Sequence, residues 1–185
     1  MSIILSVSTL ILQGMFVTMF DFNEIDQVEA WVVTNDGVMG GISQGTWYQE
    51  DDYVVFEGDV SLENNGGFSS VRVGFHPVDL SAYDGIALRV RGDGQNYAFG
   101  LSDSNSQYQY RLTFDTTVSE EGEWLTIYIP FDMVTAKRFG RDVPMADPLN
   151  ISRIQGMNLI ISDKQEGPFR LEIESIALYS EATEE

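Results

Sequence analysis

The residue types that usually carry out catalysis are scarce in this sequence. His76 is the only histidine, Pro77 follows it, and the 185-residue chain has no cysteine. A Ser-His-Asp site needs a histidine that is positioned by an acid and reaches a serine, and no local pattern around His76 supplies these partners. Zinc sites draw on several His and Cys ligands. The sequence therefore predicts neither nucleophilic catalysis nor a zinc site, and His76 is interpreted as a loop residue between strands.

Acidic and glycine-rich segments offer other chemistry, but at low specificity. Adjacent carboxylates such as Glu120 and Glu121 are expected in so acidic a chain and indicate a solvated surface. The segment 92–94, Gly-Asp-Gly, lacks the Gly-Lys-Ser/Thr that completes a phosphate-binding loop. Loops at Asp36 and Asp103 carry the oxygen ligands that calcium prefers, yet no spaced ligand set accompanies them. We predict no cofactor and no metal, and interpret these residues as turn formers.

Three arginines are candidates for ligand binding. Arg72, Arg89 and Arg91 fall on strand-like runs, at positions that face away from the apolar side chains. They could bind an acidic peptide or a sugar through paired hydrogen bonds. They could also pair within the protein, and this alternative is favoured because charges on a sheet are rarely left unpaired. Acids that could serve as internal partners are Glu63, Asp84 and Asp93.

Two aromatic residues are candidates for a binding platform. Trp124 and Tyr128 alternate with the aliphatic residues Leu125, Ile127 and Ile129, so they are expected on the opposite, exposed face of that strand. Exposed aromatic faces bind sugars and apolar side chains alike. The sequence thus leaves both kinds of ligand open for this pair.

The charge balance limits the class of partner. The chain has 10 lysine and arginine residues against 29 aspartate and glutamate residues, a formal net charge of -19 at pH 7. Such a charge opposes binding to nucleic acid or anionic lipid through phosphate groups. A length of 185 residues with 43% hydrophobic side chains is typical of one globular domain with a substantial core. We therefore predict a single domain that binds no nucleic acid.

Period-two alternation dominates the sequence from residue 21 onward. The side chains of Ile86, Leu88 and Val90 point one way and their neighbours the other, as in a half-buried strand. Turn residues separate such runs at intervals typical of an antiparallel sandwich. No long helical periodicity is present, and the proline-containing segment 131–150 is predicted to be a long loop. The predicted fold class is all-β, a β-sandwich.

The chain ends are predicted to lie outside this domain. Residues 1–19 form an apolar extension with no Lys or Arg and no clear cleavage site, so it is a poor signal peptide and a poor membrane span. An over-long start is preferred to a weak signal segment or an added strand or helix. The domain is assigned to residues 20–180, and residues 181–185 form an acidic tail. Without a secretion signal, a cytoplasmic location is favoured.

Two loops rich in glycine and asparagine carry a resemblance to a known family. The segments are WVVTNDGVMGGIS at residues 31–43 and FEGDVSLENNGGF at residues 56–68. Further matches occur in order, YDGI at 83–86, RGDG at 91–94 and SDKQEGPFRL at 162–171. This ordered set resembles the complex I intermediate-associated protein family. The second loop lies between two strand-like runs, so it predicts either a hairpin or a tight corner between strands.

The resemblance implies a fold and a role. The family fold is a galactose-binding-like jelly-roll β-sandwich, and its mitochondrial members help to assemble respiratory complex I. It implies a non-enzymatic binding module that holds a protein client or assembly intermediate. The motif residues offered for the binding surface are Asn35, Asp36, Met39, Asn64, Asn65 and Arg72; the alternative is that such residues only build the turns that close the sandwich. An alternative function is a carbohydrate-binding module of the galactose-binding-like class, for which Trp124 and Tyr128 are the candidate contacts.

Overall fold

β-strands are the dominant secondary structure of the described chain. A computed structural model describes residues 15–22, 24–105, 107–116 and 122–181, and of Val38 and Met39 the backbone alone. One short helix, α1 (Ile25–Glu29), buries Val28 and precedes the second strand. The strands are β1 (Met15–Asp21), β2 (Val32–Asn35), β3 (Gln44–Glu50), β4 (Tyr53–Val60), β5 (Ser69–Val78), β6 (Gly85–Arg91), β7 (Asn96–Asp103), β8 (Gln109–Asp115), β9 (Leu125–Pro130), β10 (Thr135–Arg138), β11 (Arg141–Asp142), β12 (Ile154–Ile161) and β13 (Gly167–Ser180).

The strands form two antiparallel sheets. The six-stranded sheet has the order β3-β4-β13-β6-β9, with β1 on the second half of β13. The seven-stranded sheet has the order β11-β10-β8-β7-β12-β5-β2. Inward-facing side chains of both sheets meet in one hydrophobic core, to which Leu88 and Ile173 contribute from the first sheet and Val71 and Leu159 from the second. The predicted all-β sandwich is therefore confirmed.

Alternation assigns each strand an inner and an outer face. On β6, Ile86, Leu88 and Val90 are fully buried, as predicted, while Arg89 and Arg91 emerge on the outer face. On β5, Val71 and Val73 enter the core and Arg72 is exposed on the outside. Burying apolar area drives this arrangement at roughly 25 cal/mol per Å². The outer faces of the two sheets are thus where polar side chains collect.

The second glycine-rich loop is a corner between the sheets. β4 belongs to the six-stranded sheet and β5 to the seven-stranded sheet, so residues 61–68 carry the chain across the core. Of the two alternatives that the sequence left open, the corner is correct and the hairpin is not. The first glycine-rich loop, between β2 and β3, makes the same crossing in the opposite direction. Both loops therefore lie where the chain changes sheet.

Two segments differ from the sequence analysis. The predicted long loop 131–150 contains a small hairpin, in which Lys137 of β10 lies opposite Asp142 of β11. At the other end of the chain, β1 begins at Met15 and pairs with β13, so an added strand crosses the predicted boundary at residue 20. Residues 1–14 and 182–185 lie outside the described part of the chain.

A buried carboxylate joins the two glycine-rich loops. Asp36 is 1% exposed and accepts hydrogen bonds from the backbone N–H groups of Ser43 (3.0 Å), Gly67 (2.7 Å) and Phe68 (3.3 Å), and from Ser43 Oγ. A Cβ on Gly41 or Gly66 would stand 2.3 Å from Asp36 Cγ or 2.6 Å from Asp36 Oδ2. Glycine is therefore required at these two positions for close approach to the carboxylate.

Asp36 should also make the stability of the protein depend on pH. Burial acts to raise its pKa, but hydrogen bonds from Ser43 Oγ and from the backbone of Gly67, Phe68 and Ser43 outweigh burial and lower the pKa below its ordinary value. A lowered folded-state pKa stabilises the protein above the unfolded-state pKa, and this contribution is lost as the pH falls through the folded-state pKa. The interaction is therefore complete near neutral pH.

We expect Asp36→Asn to lower the free energy of unfolding by about 3 kcal/mol at pH 7, because an amide N–H₂ would oppose backbone donors. The difference from the parent protein should shrink as the pH falls below about 4, the ordinary aspartate value. Urea denaturation at several pH values measures both effects. The control is Asp51→Asn, the same change at an exposed turn residue. A constant difference from pH 7 to pH 3 would contradict the assigned role.

Candidate functional site

The outer face of the six-stranded sheet pairs its own charges. The Arg91 guanidinium forms an ion pair with Glu172 and lies 4.9 Å from the ring centroid of Trp124 and 5.5 Å from that of Tyr53. Arg89 is 3.7 Å from Glu174 and donates to the backbone oxygen of Trp124 at 3.1 Å. Internal pairing, the favoured alternative, thus applies to both arginines. Their partners lie on β13, however, and are not the acids suggested from the sequence.

Arg170 completes the pairing of this face. Its guanidinium lies 3.1 Å from Glu50, 2.6 Å from Glu57 and 2.9 Å from Glu172, and it donates to Tyr48 Oη at 3.2 Å. Burial acts to lower its pKa, but the hydrogen bonds to Tyr48 and the glutamates outweigh burial and raise it. Charges on this face are therefore largely satisfied without a ligand.

The predicted aromatic platform is divided between two internal contacts. The Trp124 ring packs edge-on against Tyr53, with 5.6 Å between centroids, and covers Arg91. Tyr128 is 49% exposed and packs edge-on against Tyr179 at 5.0 Å. Both residues lie on the outer face of the six-stranded sheet, as their alternation predicted, but no ring contact joins them in the described structure.

The loop residues have clear roles in the backbone. Asp36 is interior, so its assignment to an exposed binding surface is wrong. Asn35 accepts a hydrogen bond from Ser69 Oγ at 2.7 Å. Asn64 and Asn65 are exposed and have φ angles of 55° and 60°, the left-handed region that asparagine tolerates better than most residues. Backbone geometry therefore accounts for both asparagines. The side chain of Met39 lies outside the described residues.

Arg72 belongs to a different surface, the outer face of the seven-stranded sheet. Strand register places it opposite Asn158 of β12, and Asn158 in turn lies opposite Gly100 of β7 and Gly100 opposite Arg111 of β8. These residues form one row across four strands. Around the row is a groove of about 520 Å³, which we call the sheet groove. Its other polar or glycine lining residues are Thr34, Ser70, Gly74, Ser102, Gln109, Gln155 and Gly156.

Two groups in the sheet groove are buried without hydrogen-bond partners. Asn158 is 6% exposed and its Oδ1 is unpaired, and Arg111 Nε is likewise buried and unpaired. Burial lowers the pKa of Arg111, an effect that the carboxylate of Asp163 partly offsets. Within the described chain, neither Arg72 nor Arg111 has a carboxylate within ion-pair distance. Unpaired buried polar groups are costly, and each one requires an explanation.

Gly100 allows Asn158 and Arg111 to lie side by side. A Cβ at Gly100 would stand 2.1 Å from Asn158 Oδ1 and 3.1 Å from Arg111 Cγ. The amide and the arginine stem therefore occupy the space above this glycine from either side. The sequence analysis found only Arg72 of this row. Arg111 had the same signal, a charge alternating with buried residues on β8, and Asn158 is one of two amides, with Gln155, in the mostly apolar strand β12.

A larger cavity of about 820 Å³ lies beside the β10–β11 hairpin. Its acidic lining is partly used by the fold, since Asp142 pairs with Lys137 at 2.6 Å and Asp84 accepts from the backbone N–H of Glu181 at 2.7 Å. Tyr110 Oη also donates to the Asp147 backbone oxygen at 3.0 Å. None of the site residues predicted from the sequence is in its described lining.

Across residues 15–22, 24–105, 107–116 and 122–181, no group of three or more His, Asp or Glu side chains is arranged to hold a metal ion. Over the same residues, no helix has the length and apolar character to cross a bilayer.

Comparison with known proteins identifies the family. The model of the family "Complex I intermediate-associated protein 30" matches residues 20–173. This chain belongs to the complex I intermediate-associated protein 30 family. The mouse protein "Complex I intermediate-associated protein 30, mitochondrial" is 25% identical over 88% of this chain and 56% of its own length. The Drosophila melanogaster protein of the same name is 27% identical over 86% of this chain and 61% of its own length.

The two relatives are longer proteins than this chain. The chain spans somewhat more than half the length of each of them. Both relatives are named as mitochondrial proteins, and the cytoplasmic location favoured from the sequence stays a prediction.

Solved structures share the fold at low sequence identity. A family 11 carbohydrate-binding module from Clostridium thermocellum, in complex with a mixed-linked tetrasaccharide, has a TM-score of 0.68 at 15% identity, covering 92% of this chain and 98% of that one. An agarase has a TM-score of 0.63 at 13% identity, covering 93% of this chain and 25% of that one. The chain is thus a galactose-binding-like jelly-roll sandwich, as the resemblance implied.

The close packing of Asn158 and Arg111 over Gly100 can be tested by substitution. We expect Gly100→Ala to lower the free energy of unfolding by about 1–3 kcal/mol, because the new methyl group would displace the Asn158 amide and the Arg111 stem. Gly74→Ala is the matched control on the same face, where a Cβ would have Gln155 O at 3.9 Å as its nearest neighbour. Thermal and urea denaturation measure both variants. Equal stability of the two would contradict the close packing over Gly100.

Proposed function

We propose that this chain is a non-enzymatic binding module that acts in respiratory complex I assembly by holding a protein client in the sheet groove. Membership of the complex I intermediate-associated protein 30 family supports the assembly role. The observation that carries the choice of surface is the pair of buried, unpartnered groups, Arg111 Nε and Asn158 Oδ1. A bound client would supply the hydrogen bonds that these groups lack.

The chemistry of the sheet groove favours binding over turnover. Its functional groups are guanidinium, amide and hydroxyl groups, and arginine does not lose its proton in proteins, so it is a poor general base. His76 is exposed on β5 and is absent from the described lining of the groove. A guanidinium beside an amide is well suited to orienting a bound group through directed hydrogen bonds.

A protein client is favoured over a carbohydrate by the lining of the groove. Sugar-binding sites commonly offer an aromatic face for stacking, and the described lining of the sheet groove includes no aromatic ring. The aromatic candidates Trp124 and Tyr128 lie on the opposite sheet and pack against Arg91 and Tyr179. The shared fold with carbohydrate-binding modules therefore supplies a scaffold and does not by itself assign the ligand.

Complementation in the source organism tests the proposal. We expect loss of the gene to lower the amount of assembled complex I on native gels, and the parent chain to restore it. The double variant Arg72→Ala/Arg111→Met should restore less than half of that amount, because both cations of the sheet groove are removed. Methionine at position 111 keeps the buried stem of the side chain.

The control is Arg89→Ala/Arg138→Ala, which makes the same change of net charge away from the groove. It should restore assembly as the parent chain does, provided that immunoblots show equal protein amounts. Unchanged complex I after gene loss would refute the assembly role. Full restoration by the groove variant would refute the choice of surface.

A further inference from the structure

The sheet groove presents a donor and an acceptor side by side. Arg111 Nε is a buried donor without a partner, and Asn158 Oδ1 is a buried acceptor without one. They come from β8 and β12, the strands on either side of Gly100, and both side chains lie within about 3 Å of the point where a Gly100 Cβ would stand. A ligand that satisfies both must bring an acceptor and a donor a short distance apart.

The donor side of the groove is cationic. Arg72 lies in the same row and is exposed, and neither it nor Arg111 forms an ion pair with a described acidic side chain. The arginines of the opposite sheet face, in contrast, are each paired with glutamate. Because the chain as a whole carries a net charge of -19, two arginines in one groove without an ion pair in the described chain are a local exception, although the Asp163 carboxylate acts on Arg111 from a longer distance. The acceptor that they fit best is an anion.

The lining also restricts the shape of the ligand. Glycine or serine stands at several positions of the groove, including Gly74, Ser102 and Gly156, so a ligand backbone can approach the sheet closely. The lining extends across five adjacent strands, from β2 to β8, about 19 Å at the usual strand spacing. An extended segment of about five or six residues spans that distance. Such a segment passes through the groove, whereas a chain end would fill only part of it.

We propose that the sheet groove binds an extended segment of the client through one aspartate or glutamate side chain. The carboxylate accepts hydrogen bonds from Arg111 and Arg72, and a backbone N–H of the same segment donates to Asn158 Oδ1. This ligand chemistry rests on the proposed function, which it makes more specific. Because Arg111 Nε and Asn158 Oδ1 are buried in the free chain, the two side chains turn towards the ligand when it binds.

Peptide titration of the purified chain tests the ligand chemistry. The probe is the capped pentapeptide acetyl-Gly-Ser-Glu-Ser-Gly-amide, and its matched control has Gln in place of Glu. Binding is followed through the arginine Nε–Hε signals in ¹⁵N-edited NMR spectra, where the Arg111 signal is assigned by its loss in Arg111→Met. We expect the Glu peptide to shift this signal with a Kd near 1 mM, and the Gln peptide to bind at least tenfold more weakly.

Variants then assign the contacts. Arg111→Met should abolish measurable binding, and Arg72→Ala should weaken it about threefold or more. Asn158→Asp should abolish it as well, because a carboxylate replaces the amide at nearly the same size and repels the ligand. Arg89→Ala/Arg138→Ala should bind as the parent chain does. Melting temperatures of all variants confirm that each is folded, and raising the salt concentration should weaken binding.

Two further probes distinguish other sources of a carboxylate. Acetyl-Gly-Ser-Gln-Ser-Gly with a free carboxyl terminus represents a chain end, and sodium glucuronate represents an acidic sugar. A shift of the Arg111 signal by either of these, without one by the Glu peptide, would overturn the side-chain assignment. Equal binding of the Glu and Gln peptides, or no binding of any probe, would overturn the proposed carboxylate recognition.

The titration and the complementation test fail independently. If gene loss leaves complex I unchanged while the Glu peptide binds at Arg111, the assembly role falls and the ligand chemistry stands. If the groove variant loses assembly while no carboxylate probe binds, the groove remains the client surface and the carboxylate inference falls.

Discussion

The buried carboxylate of Asp36 is the interaction on which the arrangement of the two sheets depends. It closes the β2–β3 loop against the β4–β5 corner, two of the places where the chain crosses between sheets. β2 enters the first of these loops and β5 leaves the second, and they pair with Val32 opposite Arg72. Holding the loops together therefore fixes the register at one end of the sheet groove. Close packing against the Asp36 carboxylate explains why glycine stands at positions 41 and 66, and this explanation requires no ligand.

Strand register also explains why the two outer faces differ so strongly. On the six-stranded sheet Arg91 lies directly opposite Glu172, so the pair neutralises itself. On the seven-stranded sheet Arg72 lies opposite Asn158 and Val32, and Arg111 lies opposite Gly100. Cross-strand neighbours determine which charges are satisfied. The same residue type at equivalent outward positions is structural on one face and available to a ligand on the other.

Much of the fold could be predicted from the sequence, and much of the site could not. Alternation on β6 and the ordered glycine motifs were enough for the sandwich and the family. The β10–β11 hairpin was missed because strands of four and two residues are too short to show a period. The groove needs Arg72, Arg111 and Asn158 in one row, and that row depends on register between strands far apart in the chain. Local alternation indicates which face a side chain is on, but it does not identify the residue that lies opposite on a strand far away in the chain.

The likeness to carbohydrate-binding modules shows how little the sandwich alone determines about its ligand. A sheet face can offer flat aromatic rings or charged, hydrogen-bonding side chains, and these suit different partners. In this chain Trp124 and Tyr128 of one face pack over Arg91 and Tyr179, and the other face carries a buried amide and two arginines without an ion pair among the described residues. Those groups must lose water to remain where they are, and this has a cost unless a partner restores their hydrogen bonds. Such a cost is more readily explained by recognition than by stability, since an apolar residue at position 158 or 111 would fill the same space without it.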